Sequence, residues 1–353
     1  METIVLYGAG ELGIMAQQFF NFYEINTVRV DDNPENITDV FWEDYSIIKT
    51  STIDIKDGAN DYLVLVCIST VSYNVIRKKL ENKGFTNIKS FFEIAEEINK
   101  KNNYLHPLTN GWTISPSKRE YKRVQKTVCN FRDANSFNHY FNFIAWHESY
   151  KEIANFKNFP ICCRDRYFIP EVLTVLHDHE VFVDIGAYDG RVSERFMEIV
   201  DNKFEEVYCF EPDINQYKKI VKKNLDVKVY QNIIGNKTGE IGFNENNSYL
   251  SKVNKKSKNK RYISKFDTLK SIKPTFIKYH VEGYEFEAIK GSIKTLKKYR
   301  PIVAITTYHN EEGLYKLPLY LIKHLKNYNF YWRNHNYMGQ GAVMYCIPKE
   351  RSQ

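Results

Sequence analysis

Val181-Phe182-Val183-Asp184-Ile185-Gly186-Ala187-Tyr188-Asp189-Gly190 is the stretch whose reading decides the fold. Val181, Phe182, Val183 and Ile185 form an apolar run of strand length, bounded by turn residues. Asp184 stands at its carboxyl end. Gly186 and Gly190 allow a tight turn and a close backbone approach to a ligand, and Val192 to Ile199 continues with helical spacing. The unit is strand, loop, helix. In an open parallel sheet ligands bind outside the carboxyl ends of the strands, so an acid followed by glycines at that edge suits a small cofactor.

A second strand, from Glu206 to Phe210, ends in Glu211-Pro212-Asp213. A carboxylate there can accept hydrogen bonds from both hydroxyls of a ribose, each worth roughly 1.5–3 kcal/mol for a charged acceptor. No G-x-G-x-x-G follows the Val181 strand, so no pyrophosphate is expected. A nucleoside cofactor without phosphates fits, S-adenosylmethionine foremost. The alternative is an ordinary strand, turn and helix with a solvated acid.

Four segments together carry a resemblance. They are Val181 to Gly190, Cys209 to Asp213, Phe276-Ile277-Lys278-Tyr279-His280-Val281-Glu282-Gly283-Tyr284-Glu285, and Ala304 to His309. In this order they resemble the FkbM family of S-adenosylmethionine-dependent methyltransferases, over roughly residues 165–348, about half the chain. The resemblance implies a class I methyltransferase sheet of seven strands, the last antiparallel. It also implies cofactor contacts from Asp184, Gly186, Tyr188, Asp189, Gly190, Glu211 and Asp213. Asn232, after a third strand over Val227 to Gln231, falls where this class places the adenine; the alternative is a turn asparagine. The family usually has an aspartate where this chain has His280, which puts in doubt both metal assistance and direct transfer of mechanism.

The fourth strand, Thr275 to Tyr279, delivers His280, Glu282, Gly283 and Glu285, and the fifth, Pro301 to Thr306, delivers Tyr308 and His309. Phe330 to Trp332 and Ala342 to Cys346 supply the last two, with Arg333 and His335 between them. Methyl transfer to a hydroxyl needs positioning and removal of a proton, and histidine ionises in the right range for the second task. His280, Glu282, His309 and His335 are therefore the catalytic candidates. Imidazole and carboxylate together also suit a divalent metal.

The chain opens on a second fingerprint. A strand from Thr3 to Tyr7 runs into Gly8-Ala9-Gly10-Glu11-Leu12-Gly13, which opens a helix through Phe20. This spacing leaves room for a pyrophosphate over the helix N-terminus. A strand over Thr27 to Val30 ends in Asp31-Asp32, where a ribose-binding acid is expected. Leu63 to Ile68 is a further strand, with a helix near Tyr73 to Lys83. Gly8, Gly10, Gly13, Asp31 and Asp32 are thus candidates for a second nucleotide. The segment resembles the small N-terminal domains of polysaccharide-biosynthesis proteins. No dehydrogenase constellation follows the fingerprint, so packing or docking is the competing reading.

The expected architecture is α/β: a Rossmann-like domain over residues 1–98, a helical connecting segment over 99–164, and an FkbM-type methyltransferase domain over 165–353. Helical spacing in the connecting segment falls near Tyr121 to Val128 and Phe137 to Phe156. Its Trp112, Trp146 and other aromatics are expected in packing, with one or two forming an acceptor wall. Arg164 to Phe168 leads into the last domain and is expected to border the cofactor. Residues 244–265, rich in Lys and Arg, read as a solvated loop or a mobile cover for substrate phosphates.

At 353 residues, 43% hydrophobic and 15% aromatic, the chain is long enough for two cores. The net charge of +7 is scattered and carries no nucleic-acid footprint. Six cysteines in neither metal nor disulfide spacing suggest the cytoplasm, and no apolar run reaches the roughly 20 residues of a membrane span. The expected activity is O-methylation of a sugar hydroxyl on a nucleotide-linked or surface-glycan precursor. The rivals are a nucleotide-dependent sugar-modifying oxidoreductase run by the N-terminal domain and a non-catalytic assembly protein.

Overall fold

The structure, a computed structural model, describes residues 3–52, 62–103, 106, 118–153, 159–245 and 252–352. Trp112 lies outside the described residues. The chain divides into two compact units, the first comprising residues 1–115, 142–161 and 336–340 and the second comprising 116–141, 162–335 and 341–353. The stretch 99–164 is therefore shared between the two. No helix among the described residues is long and apolar enough to cross a membrane.

The first unit is built on a five-stranded parallel sheet: β1 (Thr3–Tyr7), β2 (Val28–Asp31), β3 (Ile47–Lys49), β4 (Tyr62–Val66) and β5 (Asn87–Ser90), in the order β3-β2-β1-β4-β5. Two of these strands, β3 and β5, go beyond the sequence reading. Both are short and half-polar, so no apolar run announces them. Phe19, Phe20, Phe91 and Phe92 are fully buried in this unit, as is Trp146.

The second unit contains β6 (Val181–Ile185), β7 (Glu206–Phe210), β8 (Lys228–Tyr230), β13 (Phe276–Tyr279), β14 (Ile302–Thr306), β15 (Tyr328–Asn334) and β16 (Ala342–Pro348). Their order is β15-β16-β14-β13-β6-β7-β8. All neighbours from β14 to β8 are parallel, and β16 runs antiparallel to both β14 and β15, as expected for the last strand. Central strands covered on both faces read as continuous apolar runs. Accordingly every residue of β6, β13 and β14 is buried. Phe182 stacks on Phe196 at 4.4 Å, and Phe276 packs 5.0 Å from Phe182.

A second, four-stranded sheet corrects the reading of residues 244–265 as loop. It joins β9 (Ile233–Ile234), β10 (Gly239–Asn244), β11 (Lys252–Val253) and β12 (Lys260–Ser264) in the order β11-β10-β12-β9. Its small core is Ile233, Ile241, Phe243 and Ile263. The basic residues of β12 hid a half-buried strand, for Lys260 and Tyr262 face solvent while Ile263 is buried.

A buried ion pair lies at the centre of the large sheet. Lys278 stands opposite Asp184 in the β13–β6 register, and its Nζ is 2.7 Å from Asp184 Oδ1 and donates to Gly186 O at 2.6 Å. Asp184 Oδ2 accepts from Ser193 Oγ at 2.9 Å. Burial opposes the Lys278 charge, but the Asp184 carboxylate outweighs it and holds the ammonium above its ordinary value. Removing one partner of a buried pair leaves the other charge uncompensated. Lys278→Met is expected to cost about 3–5 kcal/mol of unfolding free energy by urea denaturation; a loss under about 1 kcal/mol would show that the pair is not what holds β6 to β13.

Candidate functional site

The glycine turn after β6 is shaped by backbone constraints. Gly186 (φ +75°), Tyr188 (φ +53°) and Gly190 (φ +83°) all occupy the left-handed region. A side chain at Gly186 would meet the carbonyl oxygen of His280 at 1.8 Å, so only glycine fits there. The turn hangs on β7, since Gly186 N and Ala187 N both donate to Phe210 O, at 2.9 and 3.1 Å.

Glu211 closes the turn from the other side. Its carboxylate accepts from Tyr188 N at 2.7 Å and from Asp213 N at 2.8 Å. Burial pushes its carboxyl up to about 8, against the pull of these two donors. Asp213 is fully buried and caps the helix Ile214–Lys222, accepting from Asn215 N and Gln216 N. Asp189 grips Arg191 at 2.8 Å. Asp184 is fully buried with both oxygens taken by Lys278 and Ser193, so its contribution to a ligand site is to hold the turn. Asn232 donates to Ser264 Oγ at 2.7 Å, while its Oδ1 is buried without a hydrogen-bond partner. An amide oxygen left in that state is an acceptor waiting for a donor such as an exocyclic amine.

A second group stands at the carboxyl ends of β13 and β14. His280 Nδ1 lies 2.8 Å from the Tyr167 hydroxyl, and its Nε2 lies 3.0 Å from Glu282 Oε1 and 3.3 Å from the Tyr308 hydroxyl. His309 Nδ1 is 2.7 Å from Glu285 Oε1 and its Nε2 is 3.3 Å from Glu282 Oε2. Glu282 thus sits between two imidazoles, on a residue in the left-handed region (φ +48°) ahead of Gly283 (φ +94°). Glu285 is fixed by Val281 N, Gly283 N and Thr306 Oγ1. Burial lowers His280 to about 4, with Glu282 opposing. Burial opposes charge on His309 too, but Glu282 and Glu285 outweigh it and push it up to about 10. Among the described residues, His280, Glu282 and His309 are the one group of three donors spaced to hold a metal ion.

His335 is not part of this cluster. It is buried, with Nδ1 2.7 Å from Cys162 O and Nε2 2.6 Å from the Tyr345 hydroxyl, and burial lowers it to about 3. Both ring nitrogens serve packing. In the first unit, Ala9 N donates to Asp31 Oδ2 at 3.0 Å and Asn33 N to Asp31 Oδ1 at 2.9 Å. Asp32 pairs with Lys79 and accepts from the Tyr7 hydroxyl at 2.8 Å. A side chain at Gly13 would meet Gly8 O at 2.2 Å, so that glycine serves helix packing, whereas Gly10 has open space around it. The fingerprint's two acids are therefore bonded to the protein itself.

Tyr167 comes from the lead-in segment Arg164 to Phe168, which was expected at the cofactor border; sequence reasoning missed Lys278, Ser193 and Ser264. Lys278 left one signal, a lone cation inside an apolar strand. The others gave none.

The order and directions of the large sheet are those of a methyltransferase fold. Residues 184–331 match the family model of the methyltransferase FkbM domain, which supports that family for this segment. The chain is similar to the crystal structure of methyltransferase FkbM from Methylobacillus flagellatus KT, with 16% identity and a TM-score of 0.64, covering 98% of this chain and 90% of that one. Weaker likenesses link it to two other structures. Precorrin-6y C5,15-methyltransferase from Geobacter metallireducens GS-15 shares 14% identity (TM-score 0.32, 50% and 87% covered). The SAH-bound methyltransferase PaMTH1 of Podospora anserina shares 12% (TM-score 0.31, 67% and 99% covered). No curated protein matches the chain by sequence.

The Glu211 environment makes stability depend on pH. Its folded value, about 8, is raised above its ordinary value, so the stability it contributes is complete below about pH 4.5 and is lost as pH rises through about 8. The difference in unfolding free energy between the native protein and Glu211→Ala is expected to shift against the native protein over that window in urea titrations. A flat difference from pH 4.5 to 9 would contradict the burial cause.

Proposed function

We propose that the second unit is an S-adenosylmethionine-dependent O-methyltransferase acting on a sugar hydroxyl of a nucleotide-linked sugar or surface-glycan precursor. One observation carries the reading: the glycine turn closed by Glu211 abuts the His280–Glu282–His309 cluster, with Gly186 directly against the His280 carbonyl. Cofactor and acceptor sites then share one edge of the sheet, where such folds bind ligands. The ribose hydroxyls belong at Glu211 and the adenine amine at Asn232 Oδ1. The sugar class rests on family analogy.

S-adenosylmethionine held at Glu211 and Asn232 would supply the methyl group to an acceptor oxygen placed in line with it, and the His280–Glu282–His309 cluster would take the hydroxyl proton. Positioning supplies about 7–11 kcal/mol of such a barrier, and a placed base roughly 10²–10⁴ in rate. Residues 1–98 contribute binding or stability and no redox chemistry, since no dehydrogenase constellation follows their fingerprint and Asp31 and Asp32 are engaged within the protein.

Two measurements test this. S-adenosylhomocysteine is expected to bind the purified protein in calorimetry, and Glu211→Ala to weaken it by roughly 1.5–3 kcal/mol above about pH 8, where the carboxyl is ionised and its hydrogen bonds are charged; undiminished affinity there would remove Glu211 from the site. With a panel of nucleotide-sugars and glycan acceptors, His280→Ala is expected to lower turnover by roughly 10² or more while cofactor affinity stays nearly intact. Cofactor binding with no methyl transfer to any acceptor would instead favour a non-catalytic binding protein.

A further inference from the structure

We infer that His280, Glu282 and His309 form a binding site for one divalent first-row transition-metal ion. The three donors lie within 4.8 Å of one another, close enough for one ion to reach all of them. Two imidazoles and one carboxylate form a donor set that suits Zn²⁺, Mn²⁺, Co²⁺ or Ni²⁺ better than Mg²⁺ or Ca²⁺, which favour oxygen.

The arrangement around the donors points the same way. Metal-binding histidines commonly offer one ring nitrogen to the ion and the other to an orienting partner. Here His309 Nδ1 is beside Glu285 and His280 Nδ1 beside the Tyr167 hydroxyl, which turns both Nε2 atoms toward the Glu282 carboxylate. Glu285 is itself bound by two backbone N–H groups and Thr306, as an orienting carboxylate should be. The His309 side chain is 1% exposed, with carboxylate oxygens 2.7 Å from Nδ1 and 3.3 Å from Nε2, so both ring nitrogens are held among acids. Glu282 also holds a left-handed backbone conformation, a strain that persists where a side chain must be aimed.

The test uses tag-free full-length protein without methyl donor or acceptor, so its outcome is independent of methyl transfer. Co²⁺ titration is expected to develop visible absorption that saturates at one equivalent and is bleached by Zn²⁺, while Mg²⁺ gives no competition at millimolar concentration. His309→Ala and Glu282→Gln should each weaken Co²⁺ binding by about 100-fold or more, and Glu285→Gln by about 10–100-fold, as for an orienting carboxylate. The double variant His177→Ala/His179→Ala, which removes surface imidazoles, should bind as the native protein does. Circular dichroism checks that each variant is folded. Absence of a one-equivalent Co²⁺ spectrum in the native protein overturns the inference by itself, whatever the variants do. So does binding that survives in folded Glu282→Gln and His309→Ala, or that disappears with His177 and His179.

Discussion

The ion pair between Asp184 and Lys278 is the constraint from which the site follows. It joins β6 to β13 in the buried centre of the sheet, where an unpaired charge of either sign is strongly unfavourable. The same ammonium also holds Gly186 O, so the pair reaches beyond the strands into the turn. The turn then presents Tyr188 N to Glu211, and Glu211 passes the constraint on to Asp213 and the helix it caps. A chain of polar contacts thus runs from the sheet centre to the ligand edge. Each link satisfies a group that burial would otherwise penalise.

The cluster beyond β13 and β14 obeys different electrostatics. Two carboxylates and two imidazoles are crowded together, His309 and Glu285 buried and His280 and Glu282 half-buried, and neighbouring histidines are driven in opposite directions. Burial lowers the pKa of His280, whereas Glu282 and Glu285 raise that of His309. Divergent behaviour of adjacent titrating groups is a usual mark of a working site, because chemistry needs a donor and an acceptor at one pH.

Much of the second unit was legible because its central strands are apolar runs bounded by glycines or polar residues, and those ends share one edge of the sheet. The strand ends of β6, β7, β13 and β14 carry the candidate residues at that edge. What each residue touches was not legible, because partners come from register and from residues far apart in the chain. Asp184 looks like a ligand-facing acid until Lys278, 94 positions on, is placed opposite it. Tyr167 approaches His280 across 113 positions. His335 suits proton transfer by residue type, and only packing shows that Cys162 and Tyr345 use both of its nitrogens. In the first unit the fingerprint was real as a fold signal, yet its acids turned inward to the loop and to Lys79.

The contact between Gly186 and the His280 carbonyl makes the two halves of the site inseparable under mutation. With a side chain at 186 excluded by a backbone atom rather than by a movable side chain, no repacking of neighbours can relieve the clash. Any change that shifts the turn must displace the backbone carrying His280, and the reverse also holds. Substitutions on the two loops will therefore show strong epistasis.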